Sequence, residues 1–406
     1  MADIGWLIAD DGSRREAIDH LPSTANSHAV TMQILTADIG TGTQDILLFD
    51  SERTPENCLK LVMPSPTVLI GQQVRSATAA GAALLITGVL MGGGPCSWAV
   101  EAHRRAGLPV LATADAACTF NDDLEVVQRE LGVEIVSEAE GEALAATGKY
   151  ERVSFGDFDY AAIRNAFAAF GVALRPDALA LAVFDHGAAP PGVSDRQFRM
   201  DYLADRLRRD RRLSAFASLA HETPEIMTRL RALASSAVAA TGLPVIVMDT
   251  APAAVLGALE DPVVTGHPDG MVVNVGNFHT LAFQFRRGQI VRLFEHHTGL
   301  LTPEALKGWL RMLADGSIAH QAVFASQGHG ALSLDAQAVS LEFIGVVGPR
   351  RSLLRDAGLP TYFAVPHGDQ MLGGCFGLLR ACADVEPAWR KPIETALAGS
   401  NDRSLW

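Results

Sequence analysis

The 406-residue sequence predicts an α/β protein built from two like halves. Three observations carry that expectation. From Ile34 onward, short apolar strand runs alternate with helical stretches, which implies parallel sheet. A pattern of strand, glycine-bearing turn, strand, strand and then alternating α/β occurs near residue 34 and again near residue 271. Between the two copies, Gly266-His267-Pro268-Asp269-Gly270 breaks the chain.

In the first half, Ile34 to Ala37 and Ile46 to Asp50 are apolar runs flanking Gly40-Thr41-Gly42-Thr43, the pattern of a β-hairpin. Leu59 to Met63 supplies a third strand, punctuated by Pro64-Ser65-Pro66. Ala82 to Thr87 reads as a buried strand, followed by Gly88, the run Met91-Gly92-Gly93-Gly94-Pro95, and a helix over roughly Ser97 to Arg105. Pro109 to Ala112 is another strand run, before a helix that Asn121 is placed to cap.

Residues 151 to 220 differ in texture and predict a helical insertion in the first domain. Tyr160, Ile163, Phe167 and Phe170 recur at helical spacing, and Arg196, Arg199, Arg206, Arg208, Arg209, Arg211 and Arg212 crowd one helix. With Asp201, Asp205 and Asp210 interspersed, that run reads as a solvated face; docking of an acidic partner or anionic substrate is the alternative. Inside the span, Ala178 to Phe184 is a strand run ending in Asp185-His186-Gly187. A helix is expected from Thr223-Pro224-Glu225, then strand Val245 to Met248, then a small-residue helix opened by Asp249-Thr250-Ala251-Pro252.

The second half begins with strand runs Met271 to Val275, Thr280 to Phe285 and Gln289 to Phe294. Thr302-Pro303-Glu304 caps a helix whose Leu306, Trp309, Leu310 and Leu313 share one apolar face. Leu341 to Val347 and Tyr362 to Val365 are strand runs, and a glycine-rich helix covers about Asp369 to Ala383. The expected domains are 32–266 and 267–395, with tails at 1–31 and 396–406. Residues 1–31 carry little periodic apolar content before Met32 opens a strand, so Met32 reads as an alternative start.

Composition narrows the function. Thirty-three Lys plus Arg against 46 Asp plus Glu, a formal charge of -13, repels a phosphate backbone, so no nucleic-acid partner is expected. The longest apolar runs, such as Ala77 to Leu90, are broken by Thr and Gly and fall short of the roughly 20 residues of a spanning helix. No basic flank precedes a signal-length apolar stretch near the start, so a cytoplasmic protein without membrane attachment is expected, with a homo-oligomer left open. Cysteines at 58, 96, 118, 375 and 382 form no metal or redox spacing and read as small buried hydrophobes.

Several residues have the chemistry of a site. In the first turn, Gly40 and Gly42 let backbone N–H groups approach an anion, and the Thr41 and Thr43 hydroxyls donate to phosphate oxygens. Asp38 at the strand end suits Mg²⁺ held through water. An ordinary hairpin turn is the alternative. In the second turn, Asn274-Val275-Gly276-Asn277-Phe278-His279-Thr280, the Asn277 and His279 side chains are anion-binding candidates, or parts of a polar turn. Asp249 caps the helix after it or serves as a general base, two roles that can coexist. Gly92-Gly93-Gly94 either cradles phosphate or forms a flexible turn in which Pro95 lacks a donor. His186, His279, His296, His297, His329 and His367 follow strands or sit in loops; three of them, with Asp185 or Asp369, would suit a hydrolytic metal site. No H-E-x-x-H or H-x-H spacing marks one.

Ile34 to Thr43 followed by Leu47-Leu48-Phe49-Asp50 resembles the first phosphate loop of the actin, hexokinase and heat-shock chaperone ATPase superfamily. Val247 to Ala254, ahead of the Asn274 to Thr280 turn, is similar to its connecting segment and second phosphate loop. Phe343 to Gly348 and Gly373-Gly374-Cys375-Phe376-Gly377 resemble its adenosine-binding end. More narrowly, Met91 to Pro95, Asn121-Asp122-Asp123-Leu124 and Pro366 to Leu372 resemble a branch often labelled pyruvate formate-lyase activating enzyme. That label names radical chemistry on an iron-sulfur cluster held by three closely spaced cysteines; the chain has no such triplet, so the kinship is kept without the activity.

The resemblance implies two ribonuclease-H-like (actin-like ATPase) domains with ATP and Mg²⁺ in the cleft. Asp38 would organise the metal, Gly40 to Thr43 and Asn274, Gly276, Asn277, His279 and Thr280 would meet the phosphates, and Gly348, Gly373 and Gly374 would line the adenosine end. Asp249 would activate an acceptor, a sugar-like alcohol or water. The second loop departs from the superfamily's usual Asp-x-Gly-Gly-Gly-Thr: Asn274 replaces the acid, and Asn277 and Phe278 stand where glycines are usual. The expected function is Mg-ATP-dependent phosphoryl transfer, as in a small-molecule kinase, or ATP hydrolysis. A nucleotide-binding sensor without turnover and a metal-dependent hydrolase using the histidines are the rivals.

Overall fold

The computed structural model describes residues 31–399. The expected tail at 1–30 and residues 400–406 lie outside the described residues.

Strands β1 (Gln33–Ile39), β2 (Thr43–Asp50) and β3 (Leu59–Pro64) form an antiparallel meander, with Asp38 opposite Asp45 in its register. The chain then leaves this sheet. β4 (Ala83–Gly88), β5 (Val110–Thr113), β6 (Glu134–Val136) and β7 (Tyr150–Phe155) make a separate all-parallel sheet in the order β6-β5-β4-β7. Helices Pro66–Ala80 and Pro95–Arg105 bury Ile70, Val74, Cys96 and Val100 in its core with Leu84 and Ile86. β8 (Ala178–Val183) returns to pair in parallel with β1, followed by β9 (Ala217–Leu219) and β10 (Val245–Asp249), which pairs in parallel with β8. The completed sheet runs β3-β2-β1-β8-β10-β9.

The second lobe repeats this plan. β11 (Met271–Val275), β12 (His279–Arg286) and β13 (Gln289–His297) form the meander, with β14 (Gly330–Ser333) on its outer edge. β15 (Ile344–Val347) and β16 (Thr361–Phe363) extend the sheet in parallel beyond β11, giving β14-β13-β12-β11-β15-β16. In both lobes a meander places its first strand against two parallel strands. That is the ribonuclease-H-like order, with one extra strand at an edge.

The lobes meet where helix Thr250–Ala258 of the first crosses helix Gly373–Val385 of the second. A Cβ on Gly257 would overlap the Gly373 carbonyl, and one on Gly377 would overlap the Ala253 carbonyl, so the two backbones touch at this crossing. One apolar core runs through it, from Ile34 and Phe49 to Phe283, Leu293 and Phe376. Arg380 adds a two-pronged ion pair to Glu260, at 2.7 and 2.8 Å.

Several elements differ from the sequence expectation. The insertion in the first lobe is an α/β layer between β3 and β8, not a helical segment over 151–220; that span holds β7, the fully buried β8, and helices Tyr160–Ala169 and Asp195–Arg209. Short apolar runs show that parallel strands exist, but nothing local tells which sheet each joins. The helix expected at Thr223 begins at Thr228, because the Thr223 hydroxyl donates instead to the Leu219 carbonyl at 3.2 Å. Asp123, not Asn121, caps the short helix there; Asn121 Oδ1 accepts from the Asp123 amide at 2.8 Å. Among the described residues no helix is long and apolar enough to cross a membrane.

Candidate functional site

The meander turns of the two lobes and the inserted layer enclose a cavity of about 1010 Å³. Each turn is closed the same way: the Gly40 amide donates to the Thr43 carbonyl and the Gly276 amide to the His279 carbonyl, both at 2.9 Å. Ser65 pins the first turn, its hydroxyl donating to the Thr41 carbonyl at 2.7 Å and its amide to the Gly42 carbonyl at 3.1 Å. The turns meet tip to tip, since a Cβ on Gly42 would lie 3.1 Å from Asn277 Nδ2. Of the residues singled out from sequence, Asp38, Gly40, Thr41, Gly42, Thr43, Asn274, Gly276, Asn277, His279, Gly348, Gly373 and Gly374 line the cavity. Gly348 has φ 96, and a Cβ there would lie 2.6 Å from Asn274 Oδ1, so this strand end requires glycine.

Two of the expected residues do not line it. Thr280 is fully buried, its hydroxyl 2.9 Å from that of Thr298, which holds the second meander together. Asp249 is buried behind the wall: its carboxylate accepts the Ala251 amide at 3.2 Å as a helix cap and Arg199 Nη1 at 2.5 Å. The capping role holds. A carboxylate committed to a guanidinium is not presented to an acceptor hydroxyl, which corrects the general-base expectation.

The partner of Asp249 comes from the arginine run. Arg199 is fully buried, while Arg209 and Arg212 on the same run remain in solvent, so the expectation of a uniformly solvated face fails at this position. Arg199 Nε also donates to Glu295 at 2.9 and 3.1 Å, and Nη1 to the Asp185 carbonyl at 2.6 Å. Burial works against the charged guanidinium, but Asp249 and Glu295 outweigh it and raise its pKa. Burial likewise works to raise Glu295, yet Arg199 and His329 hold it well below the usual carboxylate range. Asp249 stays raised by burial, the Arg199 charge offsetting only part of it.

Asp38 and Asp45 face each other in the register of β1 and β2 as a second carboxylate pair, this one with no ion pair among the described residues. Burial pushes Asp38 up to about 7, opposed by the Thr250 hydroxyl, which donates to Oδ1 at 2.5 Å. Burial, and then the neighbouring Asp38, push Asp45 up to about 7 as well. Asp45 Oδ1 is buried with no hydrogen-bond partner among the described residues. The first turn of helix Gly373–Val385 presses on the pair, leaving no room for a Cβ on Gly374 beside the Asp38 carboxylate.

The histidines divide. His186 after β8, His279 at the start of β12 and His329 ahead of β14 bring one ring nitrogen each within 4.8 Å of one another. His297 pairs with His279 across β12 and β13 and lies 4.7 Å from His329, centroid to centroid. His186 and His279 line the cavity, while His329 is fully buried behind them. Its Nδ1 lies 3.3 Å from Glu295 Oε1, and its Nε2 has no hydrogen-bond partner among the described residues. An unmatched buried polar atom costs about 1–3 kcal/mol. Burial, then the Arg199 charge, lowers His186 to about 3, and burial, then His329, lowers His297 to about 4, so both are neutral at neutral pH. His296 is turned away to the Ser326 carbonyl and hydroxyl, each at 3.1 Å, and His367 sits 3.8 Å from Glu260.

Sequence reasoning missed the contribution of the inserted layer beyond its glycine run. Thr67, Gly92 to Gly94 and Asn121 to Asp123 form one wall of the cavity. Arg229, on the first-lobe helix Thr228–Thr241, reaches the layer and clamps Asp157 through Nε and Nη2 at 2.7 and 2.9 Å, and donates to the Phe184 carbonyl at 2.6 Å. The Gly92 amide donates to both Asp157 oxygens at 3.2 Å. Trp98 of the layer lies 5.7 Å from Phe278 of the second lobe. The Met91 to Pro95 glycines were a usable signal; a lone arginine inside a helix was not.

Two ribonuclease-H-like sheets, joined by a close helix crossing and facing each other through glycine-bearing turns, define a protein of the actin-like ATPase fold. Within that class, the chain belongs to the family described as "Putative pyruvate format-lyase activating enzyme (DUF1786)", whose pattern matches residues 91–353. The five cysteines are free; Cys375 and Cys382 share helix Gly373–Val385, the other three lie on other segments, and no three are gathered as cluster ligands among the described residues. Similar solved structures include the ethanolamine utilization protein EutJ from Carboxydothermus hydrogenoformans, at 14% identity over 85% of this chain and 88% of that one, TM-score 0.30. Others are the Lmo2764 protein, "a putative N-acetylmannosamine kinase", from Listeria monocytogenes (10%, 87% and 99%, 0.33) and the ROK hexokinase from Thermus thermophilus (13%, 86% and 97%, 0.26). The assignment of fold rests on the strand order and the crossing rather than on those scores. No curated protein sequence matches the chain.

Proposed function

We propose that this protein binds Mg-ATP in the cavity and transfers or hydrolyses its terminal phosphoryl group. The observation that carries the reading is the meeting of the Gly40–Thr43 and Gly276–His279 turns from two like lobes on one cavity. With the Gly40 and Gly276 amides used to close the turns, the tips Thr41–Gly42 and Asn277–Phe278 are left to meet phosphate oxygens. Gly348 lies against Asn274 and Gly374 against the Asp38 carboxylate, so both keep side chains out of the cavity beside the two turns, and the adenosine would lie further along the cavity from them.

Asp38 and Asp45 fit a magnesium ion: two hard carboxylate donors, one with an orphaned oxygen, and no cation between them. Bound there, Mg²⁺ would neutralise charge on the phosphate oxygens. The helix crossing at Gly257 and Gly373 is where the lobes would pivot to exclude water. With Asp249 tied to Arg199, the proton of the attacking hydroxyl must go to another group on the wall.

Titration calorimetry with ATP, ADP and inorganic triphosphate, each with and without Mg²⁺, tests the reading. Mg-dependent ATP binding that Asp38→Ala removes supports it; an unchanged response in that variant overturns it. Phe278, packed toward Trp98 where superfamily loops carry glycine, favours the nucleotide-sensor reading as the second choice. Binding without phosphate release would select it.

A further inference from the structure

At the base of the turns lies a set of histidines of which only His279 belongs to a phosphate-turn candidate. His186, His279 and His329 come from three separate strand ends, one in the first lobe and two in the second, yet their nitrogens converge within 4.8 Å. Convergence of three imidazoles alone is compatible with a packed aromatic cluster, and Phe184 does stack on His279 at 3.9 Å. A second, independent feature points to a ligand. His329 is fully buried, its Nδ1 lies 3.3 Å from the Glu295 carboxylate, and neither ring nitrogen has a hydrogen-bond partner among the described residues.

We propose that His186, His279 and His329 bind one transition-metal ion of the zinc class, with the remaining coordination position open to the cavity. A carboxylate hydrogen-bonded behind a histidine fixes the tautomer and turns the other nitrogen toward a metal; Glu295 lies 3.3 Å from His329 Nδ1, close enough to make that bond once the ring reorients onto an ion. The local backbone is built to hold it: the His329 amide donates to the Glu295 carbonyl at 3.0 Å, and Gly328 and Gly330 flank it where a Cβ would strike His296 and His320. Zinc–imidazole bonds of about 2.0–2.1 Å in a tetrahedron need nitrogens roughly 3.4 Å apart, so His186 and His279, on the cavity wall, must swing in by about an ångström. Arg199 lies nearby, but its charge is met by Asp249 and Glu295. His297, opposite His279 in the register, is the reserve nitrogen.

Three imidazoles select zinc, cobalt or nickel over magnesium, whereas Asp38 and Asp45 offer the reverse preference. The cavity thus carries two donor sets of opposite character. The open position takes water or the oxygen of an oxyanion. This site does not rest on the nucleotide reading, because its ion is bound with no nucleotide present.

The test titrates the full-length protein, purified without chelator and without nucleotide, with Zn²⁺ and Co²⁺ by calorimetry and by the visible spectrum of bound cobalt. One ion per chain is expected, retained in tenfold excess Mg²⁺ and in His221→Ala, an exposed histidine. At least a hundredfold weakening is expected in the His186→Ala/His279→Ala double variant, whose circular dichroism should match wild type; each single variant serves if the double does not fold. No bound ion, or an ion that survives these substitutions, or one lost equally in His221→Ala, overturns the proposal.

Discussion

Gly42 of the first lobe and Asn277 of the second meet across the cleft, with 3.1 Å between a Cβ on Gly42 and Asn277 Nδ2. A bare backbone at this point leaves the turn tips close enough to share one phosphate chain. Gly42→Val should therefore weaken ATP binding at least tenfold, about 1.4 kcal/mol, while the thermal midpoint changes little. Parallel calorimetry and thermal denaturation check this; full-affinity binding in the variant counts against a shared phosphate.

Asp38 and Asp45 make stability fall as pH rises when no divalent cation is present. Both are raised from 3.8 to about 7, so between those values the folded chain holds protons that the unfolded chain has released. The stability is full below about 4 and is lost as pH climbs through about 7. Melting curves from pH 4 to 8 should show that decline, Mg²⁺ should reverse it at pH 8 more than at pH 5, and Asp38→Asn should flatten it.

Arg199 holds two buried carboxylates, and its removal leaves Asp249 without its cation and Glu295 with only the nearby His329. Arg199→Met should cost about 3–5 kcal/mol in urea unfolding, whereas substitution of the exposed Arg209 should cost under about 1 kcal/mol. Equal small effects would show that the triad does not hold the lobes' cores together.

Gly257 lets helix Thr250–Ala258 touch helix Gly373–Val385, and a Cβ there overlaps the Gly373 carbonyl. Gly257→Val should destabilise by at least about 1–3 kcal/mol through overpacking, with the loss visible as a lower urea midpoint. A neutral result would mean that the helices separate freely.

Trp98 is 56% exposed and lies against Phe278 of the opposite lobe, which makes it a reporter of closure. ATP with Mg²⁺ should change the tryptophan fluorescence, and Trp98→Phe should abolish most of that change. A full signal in the variant would place the motion elsewhere.

Much of this was readable along the chain. Apolar runs of four to eight residues and glycine-bearing turns gave away both meanders, and the positions of Gly40 to Thr43 and Gly276 to His279 followed from them. Small residues around Ala253, Gly257, Gly373 and Gly377 were visible, though their meaning as a helix crossing was not. The arginine run misled because exposure was inferred from charge density, and only one face of that helix turns inward with Arg199. His186, His279 and His329 were suspects among six, with no spacing to choose between them.

Local periodicity and turn chemistry by themselves determined that two like α/β halves exist and where their glycine-bearing turns fall, because both are set by residues a few positions apart. Tertiary structure decided the rest: that β4 to β7 form their own sheet, that Asp249 belongs to Arg199, and that three distant histidines share one point. Those outcomes depend on contacts between residues from 23 to more than a hundred positions apart, which no pattern within one strand or helix encodes.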